Sequence, residues 1–487
     1  EIEAKNRWQD GFNLGRSLLS LGSNYLLLPL KIWQFKRRLN RVLSQQKTDL
    51  EYLRIDELVN HYRDLEQQLL PHWQAPIIND FFAMIFYGLL RKFTARWGEE
   101  SGDAIANTLI QQQSRQQRSR QSSGTEAGQM ISARPARQIH AMAQEIRATP
   151  ALIDTFCRGT RSEIQATLNY HPPLAAQYAA YLNEFSDRCL DELKLESPTL
   201  ADDPLPLLRS IGLVARDQAV QAQGNGSRPR PSRPPLHLKR RLRALGLQRL
   251  WLGFLVHNAR ARLRDRENLR FERTRVFGLA RKLFLEMGKR LFALDAIAQA
   301  HDIFYLEINE ILGFTEGTST CTDLKSLIAL RRAEFESYRQ TESPPNRLST
   351  YGVPYPYPEQ RAAAIGSTAL ATSDRQRQGL GCSPGIVRGV VRLIRDPHQA
   401  LAAPKGIPTG AILVAERTDP GWILLFPMAA GLVVERGSLL SHAAIVSREL
   451  GLPAIVSVPG VMTWLQDGDW VELDGGTGRV VKIESRQ

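Results

Sequence analysis

The stretch Glu435 to Pro453, ERGSLLSHAAIVSRELGLP, carries the residue types best suited to group transfer in this chain. A β-branched run ends at Glu435, a turn of small residues follows, and Ser441 stands at the N-cap position of a helix opening at His442. Gly451-Leu452-Pro453 stops that helix. In the first turn the helix dipole disfavours imidazolium, so the ring stays neutral and nucleophilic. The same dipole favours an anion transferred onto the ring. A neutral imidazole held there is a suitable phosphoryl acceptor. Neither Ser438 nor Ser441 has the GxSxG context of a nucleophile, so capping is the expected role of Ser441.

The elements that must position this histidine change character along the 487 residues. At about 150 residues per domain, the length predicts two to four domains. The first two-thirds read as helix. Leu58, Tyr62, Leu65 and Leu69 fall three or four apart from Asp56 onward and stop at Pro71; Val276, Leu279, Leu283 and Met287 repeat the pattern. Asp302 to Leu312 reads as a short strand or turn leading into a helix. Segments at about 111–128, rich in Gln, Arg and Ser, and 221–235, rich in Gly, Pro and Arg, read as flexible insertions. Residues 343–378 form a Pro-rich linker. After it come short β-branched runs separated by Gly, Pro and Asp turns: Ile386–Ile394, Ala411–Val414, Leu432–Val434, Ala454–Val458, Trp470–Leu473 and Arg479–Ile483. The expected fold class is α + α/β, a large mainly helical domain over 1–342 followed by a small α/β domain over 379–487.

The balance of 43% apolar and 23% charged residues excludes collagen, wholesale disorder and a polytopic membrane protein. Tyr25 to Trp33 is far short of the ~20 residues a spanning helix needs, so no membrane span is expected. The net charge is +13, and Lys239 to Arg290 holds 16 Lys and Arg against 4 Asp and Glu, a local net of +12. Such an excess calls for an anionic partner or ligand. No zinc, RNP-like or helix-turn-helix signature directs it to nucleic acid. Cys157, Cys189, Cys321 and Cys382 are scattered, without CxxC spacing, which fits a reducing cytoplasm and no disulfide framework. His61, His72, His140, His171, His237, His257, His301 and His398 have no metal-ligand spacing, and no metal site is expected. The chain opens on Glu1 without a visible signal peptide, as a fragment or processed product would.

The His442 segment resembles the GGxxSHxAI[VL]xR signature of the phosphohistidine swivelling domain of phosphoenolpyruvate-utilising enzymes. Gly381-Cys382-Ser383-Pro384-Gly385 is similar to that domain's opening SPG turn, and Arg417-Thr418-Asp419-Pro420 to its TDP loop. Asp467-Gly468-Asp469 and Asp474-Gly475-Gly476 through Gly478 are similar to its closing turns. Gly437-Ser438 stands where the family has Gly-Gly, which reduces backbone freedom. Leu440 occupies the position of the regulatory threonine of pyruvate phosphate dikinases, so that regulation should be absent. Upstream, Tyr181 to Leu200 is similar to a segment in the helical region of rifampicin-phosphotransferase-like proteins, and Arg266-Glu267-Asn268-Leu269-Arg270 resembles their R-E-x-x-K element, with Arg270 in place of Lys.

The resemblance implies a phosphoryl carrier. His442 would receive phosphoryl derived from ATP, with Mg²⁺, both bound by an ATP-grasp domain upstream or in trans. The 379–487 domain would swing on the linker to a small-molecule acceptor in the helical domain. On one helix face Arg266 and Arg270 would grip the phosphoryl while Glu267 accepts the acceptor's proton. Gly437, Ser438, Ser441, Thr418 and Arg448 would support the phosphoryl site. Three other readings stay open: a phosphoenolpyruvate synthase fragment, an ATP-dependent condensing enzyme of the prodigiosin type, and a non-catalytic module that binds through its basic helices.

Overall fold

The computed structural model describes residues 2–45, 49–96, 105–110, 130–223, 248–341, 375–403, 406–408 and 410–484. The expected insertion at 111–128, residues 224–235 of the second insertion and residues 343–374 of the expected linker lie outside the described residues. The chain divides into two units. One comprises Glu1–Thr48, Arg63–Arg281 and Gly379–Gln487; the other comprises Asp49–Tyr62 and Lys282–Gln378.

Helices dominate the first unit before residue 379. Proline and capping side chains set their starts: Pro150 and Pro172 open the helices Pro150–Arg158 and Pro172–Phe185. Thr160 and Glu163 form a reciprocal capping box at Arg161–Asn169. The helix Ile55–Leu69, which crosses from the second unit into the first, buries Leu58, Tyr62, Leu65 and Leu69, the residues its period selects. Gln248–Ala293 is a single helix of 46 residues, and it contributes to both units.

The second unit is helical too, except for the short strand β1 (Gln376–Gln378) at its end. Asp302 to Leu312 contains no strand; Ala300–Tyr305 is a 3-10 turn and Ile308–Glu316 a helix. Two acidic caps account for this, Asp302 closing on Gln299 and Glu310 on Glu307. Arg290 donates to the carbonyls of Leu53 and Glu51, and the rings of Tyr62 and Phe284 lie 4.9 Å apart.

The α/β part of the first unit is built on β2 (Leu380–Ser383), β3 (Ile386–Ile394), β4 (Ala411–Ala415), β5 (Ala429–Val434), β6 (Ala454–Val456), β7 (Trp470–Asp474) and β8 (Arg479–Lys482). From β8 the strand order is β8-β7-β3-β4-β5-β6-β2. The pairs β3–β4, β4–β5 and β5–β6 are parallel, and the flanking pairs are antiparallel. Every residue of β4 is buried, as a central parallel strand covered on both faces requires. Alternate residues feed different cores. Leu413, Leu432 and Val456 point into the core shared with the helices of this unit; Ile412, Val433 and Ile455 pack with Val461 and Leu465 on the other face.

The α/β part and the helices share that first core tightly. Trp422, Ile423, Leu424 and Phe426 are buried in it together with Leu207, Leu208 and Ile211 of the helix Leu205–Gln223. Ser210 donates to the Leu424 carbonyl at 2.6 Å, and Asn107 to that of Gly381 at 3.0 Å. A Cβ on Gly421 would lie 1.9 Å from the Cys189 carbonyl oxygen, so only glycine allows this approach.

Candidate functional site

Parallel strands put their carboxyl ends on one edge of a sheet, and the loops that follow them form a natural site. The turn before His442 follows β5, and the Arg417–Pro420 loop follows its neighbour β4. Backbone bonds from Glu435 N to Ala415 O and from Arg436 N to Glu416 O keep the two exits side by side. The helix His442–Leu450 then begins with Ser441 as N-cap, its hydroxyl accepting from Ala444 N, and ends on Gly451 at φ 73°.

His442 is 5% exposed, and its Nδ1 lies 2.7 Å from Oε2 of Glu267, which is 2% exposed. A carboxylate only accepts, so Nδ1 carries a proton and Nε2 is the nitrogen not engaged by Glu267. Nε2 is buried and has no hydrogen-bond partner. Glu267 Oε1 is 3.7 Å from Arg270 Nη1. Burial pushes the Glu267 carboxyl toward protonation. The charge and hydrogen bond of His442, then Arg270 and Arg266, outweigh it and hold the carboxyl below its ordinary value.

Arg266, expected beside Arg270 on the phosphoryl, pairs with Asp80 of the helix Gln74–Ala95, 3.0 Å away. Burial raises the Asp80 carboxyl although Arg266 and Arg270 oppose it. The preceding Asn79, fully buried, donates to the Arg262 carbonyl, and Asn268 accepts from Ile131 N. Three contacts thus fix the turn that carries Glu267. Neither Asp80 nor Asn79 belongs to a recognisable motif; an acidic residue opposite an arginine-rich helix is a weak signal.

The remaining expected residues fall into two groups. Thr418 has a buried Oγ1 without a hydrogen-bond partner, and Ser438 is exposed, its carbonyl accepting from Ser441 N. Gly437 accepts at its carbonyl from Ser457 Oγ. Arg448, 3% exposed, holds the turn from behind by donating to the carbonyls of Cys382 and Leu439. Arg188, in the Tyr181 to Leu200 segment, bonds Glu192 and the carbonyl of Pro420, while Glu192 also accepts from Thr274 of the long helix. That network ties the loop after β4 to the helix of Glu267. His398 pairs with Asp191 at 3.5 Å. Among the described residues no group of three His, Cys, Asp or Glu is arranged to hold a metal ion, and no helix is long and apolar enough to cross a membrane.

Residues 407–478 match the family described as PEP-utilising enzyme, mobile domain, and residues 80–267 match the rifampicin phosphotransferase fourth domain. The first contains His442 and the second ends on Glu267. The chain thus joins a segment similar to the PEP-utilising mobile domain to one similar to the rifampicin phosphotransferase fourth domain. Several relatives are similar over much of the chain. An uncharacterised protein of Mycobacterium tuberculosis is 31% identical over 73% of this chain and 37% of its own length. The prodigiosin synthesizing transferase PigC of Serratia marcescens is 29% identical over 70% of this chain and 38% of its own. A rifampicin phosphotransferase from a Streptomyces species is 29% identical over 62% of this chain and 34% of its own. The chain thus spans well under half the length of the curated relatives it matches. In family terms, the 2.7 Å bond joins the histidine of the PEP-utilising mobile domain to the last residue of the fourth-domain match.

Proposed function

We propose that this chain is the acceptor-side part of an ATP-dependent phosphotransferase of the PEP-utilising type, in which His442 carries the phosphoryl group on Nε2. The observation that supports it most directly is the Glu267–His442 bond, which holds Nδ1 protonated and leaves Nε2 bare. In the first half-reaction the Nε2 lone pair attacks the donor's phosphorus, and the leaving group departs with the electrons of the broken P–O bond. In the second an acceptor oxygen attacks the same phosphorus, and the N–P electrons return to Nε2. The two steps are separated, which gives ping-pong logic.

Glu267 is committed to Nδ1, so its role is to orient the ring and balance the charge that builds on it. Asp80, beside Arg266, and Asp419, whose carboxyl feels His442, are the carboxylates left for the acceptor's proton, and Asp80 is the one on the helical side. Arginine guanidinium groups stabilise the transferring phosphoryl electrostatically. ATP and Mg²⁺ supply the donor phosphoryl at an ATP-grasp domain, on the same polypeptide or in trans. Loading requires the mobile domain to leave Glu267 for the ATP-grasp domain. The similarity to PigC favours a second reading, in which the phosphorylated acceptor is condensed with another molecule.

The test is a label chase. The chain is loaded from β-labelled ATP by an ATP-grasp domain and then offered candidate acceptors. Label moving from protein to acceptor supports phosphotransfer, and product mass separates a phosphorylated from a condensed product. Label that stays on the protein with every acceptor contradicts the acceptor-side assignment.

A further inference from the structure

Arg262, Arg266, Arg270 and Arg273 follow one another at spacings of four, four and three along the Gln248–Ala293 helix. At 3.6 residues per turn they fall within about 80° of arc, with Glu267 about 60° beyond Arg270. One stripe therefore carries four cations up to the carboxylate that holds His442.

The four are not equivalent. Arg262 has Asp265 at 3.5 Å, and Arg266 has Asp80 at 3.0 Å. Among the described residues Arg270 ion-pairs with Glu267 alone, at 3.7 Å, and the other oxygen of that carboxylate is taken by His442. Arg273 makes no ion pair among the described residues, and its Nε is buried without a hydrogen-bond partner. Burial first, and Arg270 next, push Arg273 below the ordinary arginine value; Glu192, Asp80 and Glu267 oppose this. Asp80 feels Arg266, Arg270, Arg273 and Glu267 together, so these groups share one neighbourhood. Within it Arg266 and Arg270 already have a carboxylate within 4 Å, Asp80 and Glu267, and Arg273 does not. A partly buried cation without a partner is costly unless an anion arrives. A phosphoryl group brings up to about two negative charges and three acceptor oxygens.

We propose that Arg273 and Arg270 form an oxyanion subsite that binds the phosphoryl group in transit between His442 and the acceptor. This rests on the phosphohistidine reading. Arg273 replaces Arg266 in the pair that touches the phosphoryl, and Arg266 becomes a positioning residue locked to Asp80. In the second half-reaction the two guanidinium groups donate to the equatorial phosphoryl oxygens while the N–P bond breaks toward Nε2 and the acceptor's P–O bond forms.

The test titrates inorganic phosphate into the full chain by calorimetry, beside three variants checked by circular dichroism for folding. Wild type should bind saturably. Arg273→Gln should weaken binding about tenfold or more, the loss of a charge-assisted contact, and Arg273→Lys should lose less. Arg275→Gln, on the far side of the helix and paired with Glu272, should match wild type. No saturable binding by wild type, full affinity in folded Arg273→Gln, or an equal loss in Arg275→Gln would each overturn the proposal. The phosphohistidine reading is scored separately by label on His442 of wild type. Phosphate binding without that label would show an anion site on these arginines but contradict both the phosphohistidine reading and the transit role that rests on it.

Discussion

Glu267 and His442, 175 positions apart in the chain, share a 2.7 Å hydrogen bond with both side chains almost wholly buried. One residue comes from a helix of the rifampicin phosphotransferase fourth-domain match and the other from the PEP-utilising mobile domain. The contact sets the tautomer of the ring and thereby names the nitrogen left for chemistry.

Removing the carboxylate tests that contact. Glu267→Ala leaves the Nδ1 donor unmatched in a buried site, and a loss of about 2 kcal/mol is expected from urea midpoints at pH 7. The acid side gives a second readout. The Glu267 carboxyl is held below its unfolded value of 4.5, so its contribution is present above that pH and lost as the pH falls through the lower folded value. The stability difference between wild type and Glu267→Gln should therefore shrink below pH 4.5. A difference that is unchanged or grows there would contradict the ion-pair description.

Much of this was legible in the sequence, and the reasons are local. The His442–Leu450 helix carries its start and stop in Ser441 and Gly451. Ile386–Ile394 reads as a strand because its β-branched residues recur between turn residues. Local signals do not reach across the chain. Asp80, Asn79 and Arg188 meet the site only through packing of separate helices, and no spacing announces them. The arginine excess from Lys239 to Arg290 was visible in the sequence, but which cations are already paired depends on the opposing helix. β2 (Leu380–Ser383) escaped the strand reading because it is short, contains Gly381 and lies at the edge beside β6.

Gly421 tests how the α/β part is seated. Gly421→Ala would drive a methyl into the Cys189 carbonyl. We expect a destabilisation of about 1–3 kcal/mol, as for other overpacked sites, with faster amide exchange at residues 420–428 and 186–200. Wild-type exchange in both segments would count against the observed packing.

His398 and Asp191 add a pH dependence to the same seating. The hydrogen bond that His398 donates to Asp191 raises the histidine above its unfolded value of 6.5, and burial opposes it. The bond from His398 lowers Asp191 below 3.8. The histidine's contribution is therefore fully present below pH 6.5 and disappears as the pH rises through its higher folded value. The carboxylate's contribution fails only in acid, below pH 3.8. His398→Ala should lower the melting temperature at pH 6 and leave it nearly unchanged at pH 9. Equal losses at both pH values would show that the ion pair is not responsible.

Asp80→Asn separates loading from transfer. The change keeps the shape and a contact to Arg266 but removes the base. Loading of His442 should continue, while decay of its label to water slows by about 10²-fold, the lower range for a general base. A decay rate equal to wild type would remove Asp80 from the proton's path.

The most direct measurement asks which atom carries the phosphoryl. The full chain, labelled with ¹⁵N-histidine, is loaded by an ATP-grasp domain already shown competent on another mobile domain, and its phosphorus and nitrogen resonances are recorded. We expect one phosphohistidine, at His442, with the N–P bond on Nε2 and Nδ1 still protonated, and none in His442→Ala. A bond on Nδ1, or no phosphohistidine at His442, would contradict the role given to the Glu267–His442 pair.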